Sequence, residues 1–328
     1  MQNNLFFLFI LILNFSILKY HEKIFEFVGI FDHPDSERKI HLKPISLSGG
    51  LILLINFILA IIFLDNQFSL KNNFLIILFS ILFYLVGYFD DKNDIGPLKK
   101  TLLNFFLIFI FLFLTEIFLI ENIRSIYFSN LTFLEKNSFI FTIFCFLAFL
   151  NALNMYDGIN GQSGLFLLLL FFYLFLFSNN FLFLSIIISL IFFLYLNLRN
   201  KCFIGNSGVN FISFVTLIFF IENHNNGIIR AVEDILVLML FPGIEMVRLF
   251  FFRILAFKNP FKADKKHIHH LLLHYTNWKK VTLITLFLSI LPLILYNFLN
   301  YSYWSIVIFI LIYFLIIGFF QLQIKKKS

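Results

Sequence analysis

The length of the apolar runs constrains this chain more than any other feature. They recur at close to 20 residues, the length that carries an α-helix across roughly 30 Å of hydrocarbon. Spans are expected near 4–20, 48–65, 72–89, 101–120, 138–155, 162–178, 180–198, 208–222, 232–256, 280–299 and 302–321. The fold class that follows is an all-α, polytopic membrane protein of about 10–11 transmembrane helices, with residues 1–328 as one membrane domain. With 60% apolar and 13% charged residues, a soluble globular domain is excluded. The N-terminal run has neither a basic leader nor a small-residue cleavage site, which marks it as a retained helix.

Basic residues orient the spans. With the N-terminus outside, 21 Lys and Arg fall on the inner face and 4 on the outer face, a decisive split under the positive-inside rule. The net charge of +7 therefore reflects topology and an anionic substrate. It is no nucleic-acid footprint, because no soluble basic domain carries it. Cys145 and Cys202 give no disulfide framework and are expected as free thiols.

Polar islands interrupt the oily segments, and the topology gathers them on the inner, cytoplasmic face. Asp90 and Asp91 end the third span, with Asp94 one turn on. Adjacent carboxylates repel, so a cation or a shared proton commonly keeps them together; the plain alternative is a solvated helix end. Asn151, Asn154 and Asp157 follow at i, i+3 and i+6, near one helical stripe, before Gly158-Ile159-Asn160-Gly161 turns the chain. Amides are costly inside lipid, and a simple turn does not need Asn151 and Asn154 there. Gly205-Asn206-Ser207-Gly208 opens the eighth span and offers backbone N–H groups as a phosphate cradle, or ordinary turn chemistry.

His267, His269 and His270 lie in the longest inner loop among lysines. No Cys or carboxylate set completes a tetrahedral zinc site beside them, so imidazoles facing a diphosphate fit better. Arg38, Lys39 and His41 in the first inner loop suit a lipid phosphate or simply supply inner-face charge. Glu245 lies deep in the ninth span with Arg248 at i+3, a structural pair. Pro242-Gly243 in the same span predicts a bend or break, with the following half-helix bringing the histidine loop over the acidic site.

In order and spacing these motifs resemble the polyprenyl-phosphate N-acetylhexosamine-1-phosphate transferase family. They are D-x-P…R-K-x-H…G-G, D-D-x-x-D, N-x-x-N-x-x-D-G, G-x-x-G and P-F-x-x-D-x-x-H-x-H-H, running from about Asp32 to His270. The H-I-H-H form and the number of spans are closer to the WecA branch than to the MraY branch. The resemblance implies transfer of an N-acetylhexosamine 1-phosphate from a UDP-sugar, UDP-N-acetylglucosamine or a relative, to undecaprenyl phosphate. UMP would leave, and a lipid-linked surface glycan would begin. It implies Mg²⁺, with Mn²⁺ as the alternative ion, at Asp157, Asn160 and Asn206. Asp90, Asp91 and Asp157 would be the catalytic set. Arg38, Lys39, His41, Asn151, Asn154, Asn160, His267, His269 and His270 would bind substrate. The setting implied is the bacterial inner membrane, among membrane lipids, with a homodimer as an admissible assembly and no nucleic-acid partner. Two departures stand out: Asn160 and Asn206 are amides where many members carry Asp, which would leave metal held with less charge. A polyprenyl-phosphate transporter and a catalytically weakened lipid-binding relative are the competing readings; the clustering of polar groups at one surface disfavours a transporter.

Overall fold

The structure is a computed structural model that describes residues 2–34, 43–64, 68–127, 132–257, 259 and 265–327. Arg38, Lys39 and His41 lie outside the described residues. Each expected apolar run is a helix. These are α1 (Gln2–Lys19), α3 (Gly49–Leu64), α4 (Leu70–Asn93), α5 (Pro97–Thr115), α6 (Ser138–Tyr156), α7 (Gln162–Ser178), α8 (Phe181–Asn197), α9 (Gly205–Asn225), α10 (Val232–Leu255), α12 (Trp278–Phe298) and α13 (Trp304–Lys327). Among the described residues, seven of them are long and apolar enough to cross a membrane alone. Two short helices, α2 (His21–Val28) and α11 (Ile268–Leu273), join them, with two-residue antiparallel pairings β1 (Phe31–Asp32) with β2 (Ile45–Ser46) and β3 (Asn122–Ile123) with β4 (Thr132–Phe133). The protein is a multi-pass, all-α membrane protein.

α9 is the hub. In its most apolar window 94% of residues are buried, against 22% for the peripheral α13, and α3, α4, α6 and α7 pack around it. Small residues permit that enclosure, because without a hydrophobic drive between helices in lipid, close backbone approach and dispersion supply the association. A Cβ on Gly50 of α3 would stand 2.5 Å from Gly208 Cα, and one on Gly87 of α4 would stand 2.3 Å from the Asn206 carbonyl oxygen. Below these contacts the buried amides of Asn104 and Asn210 pair reciprocally at 2.8 and 3.0 Å, and Asn210 also donates to Phe83 O. The packing thus leaves these intramembrane amides hydrogen-bonded.

Three boundaries differ from expectation in ways that matter. α5 starts at Pro97, four residues early, because Pro is pre-organised for the first helical position and Gly96 at φ 84° makes the turn before it. Lys99 and Lys100 therefore belong to the helix rather than to the preceding loop. The break expected at Pro242-Gly243 is absent: α10 runs continuously from Val232 to Leu255. Pro removes a single N–H, and packing against α6 and α12 holds the helix through it. Among the described residues a sharp bend lies at the N-terminus, where α1 and α2 meet at 76°.

The glycine contact between α4 and α9 makes a direct prediction. Gly87→Val will force these helices apart and lower the thermal stability of the solubilised protein by about 1–3 kcal/mol, the usual cost of overpacking. Gly318→Ala, with nothing within 4 Å of its added Cβ, will leave the melting temperature unchanged or slightly raised. Melting followed by fluorescence-detected size exclusion distinguishes the two.

Candidate active site

Four helix ends meet at one face: the C-termini of α4 and α6, and the N-terminal turns of α5 and α9. The first turn of α9 leaves backbone N–H groups without intrahelical partners, inside the best-enclosed helix. Asp91 supplies the acceptors. One carboxylate oxygen takes the Asn206 N–H at 2.9 Å and the other the Ser207 N–H at 3.0 Å. Gly205 at φ 72° makes this approach possible, since a side chain there would be strained and its Cβ would lie 2.8 Å from Asp91 Oδ2. The cradle expected for a phosphate thus gives its two leading donors to a carboxylate of the protein.

Lys100 stands at the centre. Its side chain is buried, and its ammonium forms an ion pair with Asp90 Oδ2 at 3.1 Å. It donates as well to Asn206 Oδ1 at 2.7 Å and Asn154 Oδ1 at 3.0 Å. The electrostatics of Asp91 and Lys100 reach Asp157, which ends α6 and accepts a 2.5 Å hydrogen bond from Ser163 Oγ. Desolvation is the chief reason that the Asp157 carboxyl rises to about 6; the Ser163 bond works against it and the nearby Asp91 charge adds to it.

The histidine loop closes the other side. A Cβ on Gly158 would lie 2.3 Å from two atoms of the His269 ring, so the imidazole sits directly on the turn after Asp157. His267, His269 and His270 gather with ring centroids 4.4–6.3 Å apart. Burial, then the neighbouring His267 and His270, holds His269 well below the ordinary imidazole value, leaving it neutral. The loop is anchored from α10 and α13. Glu245 Oε1 accepts the Ile268 N–H at 2.8 Å and lies 3.7 Å from His267 Nδ1. Arg248 joins Glu245 Oε1 at 2.8 Å to Lys266 O at 2.9 Å, and Tyr313 hydrogen-bonds to both Glu245 and Arg248. Glu245 and Arg248 are the structural pair expected from their spacing. They hold the loop without any break in α10.

The structure brings Asp90, Asp91, Asn154, Asp157 and Asn206 together, with His269 on the adjacent turn. It does not bring every expected residue there. Asn151 donates to Leu147 O of its own helix. Asn160 donates to Asn200, its carbonyl accepting from Thr282 at 2.7 Å, while Asn197 fixes Gly161 N and Cys202 O on the same side. Reasoning from sequence missed Lys100, which read as one more inner-face charge. The available signal was a lysine followed at i+4 by an intramembrane asparagine, both on one helical face. Ser163 and the Asn160–Asn200 contact had no local signal.

The profile of glycosyl transferase family 4 matches residues 73–224, a segment that contains the acidic pair, Lys100, the Asp157 turn and the start of α9. Over that segment the chain is similar to this family. An undecaprenyl-phosphate alpha-N-acetylglucosaminyl 1-phosphate transferase of Thermotoga maritima is 28% identical over 285 residues, covering 83% of this chain and 82% of the relative. Proteins of the same name from Yersinia pestis and Escherichia coli K12 are 24% and 26% identical over 314 and 290 residues. They cover 88% and 84% of this chain, and 82% and 78% of their own lengths.

Members of the family are generally divalent-metal dependent. Among the described residues no three His, Cys, Asp or Glu side chains form a ready metal cage. That suits an ion held by one or two carboxylates together with substrate phosphates. Asp157 fits, with one oxygen outside its bond to Ser163. The Asn206 oxygen accepts from Lys100, and the Asn160 side-chain nitrogen donates to Asn200.

Because both Asp91 oxygens cap α9, Asp91→Asn will place an amide NH₂ against a backbone N–H. The expected loss is about 1–3 kcal/mol of stability, seen as a lower melting temperature. Asp94→Asn, at the exposed left-handed C-cap of α4, will change it by no more than about 0.5 kcal/mol.

Proposed function

We propose that this protein transfers N-acetylglucosamine 1-phosphate, or a closely related N-acetylhexosamine 1-phosphate, from its UDP-sugar to undecaprenyl phosphate, with release of UMP. The observation that carries this reading is the buried Lys100 ammonium, bracketed by Asp90, Asn154 and Asn206 where the ends of four helices meet. The names of the relatives supply the acceptor and the sugar. The 21-to-4 bias of basic residues supports a cytoplasmic position for the site, the side on which UDP-sugars are made.

In the proposed reaction a lipid phosphate oxygen attacks the β-phosphorus of the UDP-sugar. The new P–O bond forms as the bond to UMP breaks, and the electron pair leaves on the UMP phosphate. Charge builds on the equatorial oxygens of the transferred group, so catalysis is mainly positioning and electrostatic stabilisation. The positive charge of Lys100 stabilises those oxygens electrostatically. Asp90, Asn154 and Asn206 aim it, which removes the cost of ordering a long flexible side chain during the reaction. Asp91 holds the first turn of α9, and with it Asn206, in place. Asp157 and its two acidic neighbours leave the cluster anionic, so a diphosphate enters accompanied by a cation. Mg²⁺ held by Asp157 and the diphosphate would neutralise that charge and act as a Lewis acid. Neutral His269, buried on Gly158, is suited to donate one hydrogen bond to a phosphate oxygen and remain uncharged.

Inverted membrane vesicles carrying the protein, given radiolabelled UDP-N-acetylglucosamine and undecaprenyl phosphate, will form lipid-linked sugar and UMP in equal amounts. Sealed right-side-out vesicles will not. A panel of UDP-sugars identifies the donor, and absence of product with every donor would sink the reading. Lys100→Met will lower turnover by about 10²–10³-fold, as loss of an electrostatic donor does, and Lys100→Arg will recover only part of it.

The position of Asp157 also sets a pH dependence. Burial raises its carboxyl to about 6 in the metal-free protein, and the reaction uses the ionised form, which Mg²⁺ would favour further. Activity will therefore fall on the acidic side, at or below about pH 6. Ser163→Ala removes the hydrogen bond that favours the carboxylate, so the acidic limb will move upward by about one pH unit. A pH–rate profile of both proteins checks the sign.

A further inference from the structure

α5 carries a single polar side chain inside its apolar run, and the proposed reaction does not use it. From Leu102 to Leu114 every residue is Leu, Ile or Phe except Asn104. Hydrophobicity therefore does not choose which side of α5 faces the protein. Phe106, Phe109 and Phe113 are exposed while Ile108, Phe111 and Leu112 are buried, and lipid tails accept either set equally well. A buried amide does make that choice, because a hydrogen-bonded pair has one geometry where apolar contacts have several.

Asn104 lies four residues after Lys100, and its partner Asn210 lies four after Asn206. The two contacts are successive rungs between α5 and α9, about 6 Å apart along each helix. In the rung at the site Lys100 Nζ donates to Asn206 Oδ1 at 2.7 Å; in the next, Asn104 and Asn210 exchange hydrogen bonds at 2.8 and 3.0 Å. The Phe111 and Phe214 rings continue the row, meeting edge to face with centroids 4.9 Å apart. Asn210 reaches a third helix as well. Its amide nitrogen donates to Phe83 O of α4 at 2.9 Å, seven residues before Asp90 on that helix, about two turns. One side chain thus registers the three helices that carry Asp90, Lys100 and Asn206.

We infer that Asn104 and Asn210 are positioning residues: their amide pair fixes the rotation and axial register of α5 against α9, and so holds the Lys100 ammonium between Asp90 and Asn206. The catalytic use of Lys100 rests on the proposed reaction; its placement by the amide pair does not. A second buried pair supplies a control of the same chemistry. Asn14 of α1 and Asn56 of α3 exchange hydrogen bonds at 2.8 and 3.3 Å, and neither helix carries a residue of the acidic cluster.

Full-length protein in detergent tests this with two readouts, one of them independent of turnover. The first is acetylation by acetic anhydride, followed by peptide mass spectrometry as the rate at buried Lys100 relative to its exposed neighbour Lys99. The second is kcat and KM with UDP-N-acetylglucosamine and undecaprenyl phosphate. Asn104→Leu/Asn210→Leu removes both partners together, so neither amide is left orphaned. The Lys100-to-Lys99 acetylation ratio will rise at least about fivefold, because an ammonium released from its partners opens to solvent more often. kcat will fall at least about tenfold with KM held within about twofold, the pattern of a misplaced catalytic group. In a Lys100→Met background the same pair of substitutions will lower kcat by less than about twofold more, since residues that act through one another are not additive. Asn14→Leu/Asn56→Leu will leave both readouts unchanged. An unchanged acetylation ratio in Asn104→Leu/Asn210→Leu would overturn the inference, as would a full further loss of kcat in the Lys100→Met background or an equal effect of the control pair. Should the double variant fail to accumulate, Asn104→Ser, which stays polar but breaks the reciprocal pair, is judged by the same ratio. If the unaltered protein forms no product with any UDP-sugar, the proposed reaction fails while the acetylation ratio still decides the placement of Lys100.

Discussion

One carboxylate meeting two backbone N–H groups sets the geometry on which the candidate site depends. α9 is enclosed on nearly every side, so its first turn cannot rely on bulk water to satisfy its free donors. Asp91 takes two of them and locks the end of α4 to the start of α9. The glycines at 87 and 205 are the condition for it, one allowing the helices to touch and the other allowing the chain to turn beneath the carboxylate. Once that register is fixed, Asn206 faces α5, and Lys100 finds Asn206, Asn154 and Asp90 within hydrogen-bonding reach.

The electrostatic character of the site follows from this arrangement. An ammonium in a sparsely hydrated setting is stabilised by one carboxylate and two amide oxygens, each at 3.1 Å or less, a coordination that satisfies its three donors. Asp157 is raised by desolvation and His269 is held neutral by burial. Both groups are tuned away from the values they would have in water, as groups gathered around a polyanion-binding site commonly are. The histidine loop is held in this position by an ionic anchor on α10, which runs unbroken through Pro242. Glu245 and Arg248 form an ion pair in the wall of the bundle and use their remaining hydrogen-bonding capacity on the loop backbone.

The two ends of α9 are built on opposite principles. At the acidic end the polar groups that converge are largely satisfied by one another. At the far end the main chain is stapled, while the side chains of Arg124, His224, Asn122 and Asn225 keep orphaned atoms beside an apolar slot.

The sequence by itself determined the number and rough limits of the membrane helices, because a run of apolar residues long enough to span hydrocarbon has one economical conformation there. It also singled out Asp90, Asp91, Asn154, Asp157, Asn206 and the histidine loop, because polar groups at such positions need a reason. Only the tertiary structure decided which of them meet. Lys100 was hidden by a helix start four residues earlier than its hydropathy suggested, since Pro97 nucleates the turn before the apolar run begins. Asn160 faces Asn200 rather than the acidic cluster, and Pro242 leaves α10 continuous, because contacts between distant segments outweigh local propensity. The capping of α9 by Asp91 joins residues 115 positions apart, a pairing set by packing that no local pattern encodes.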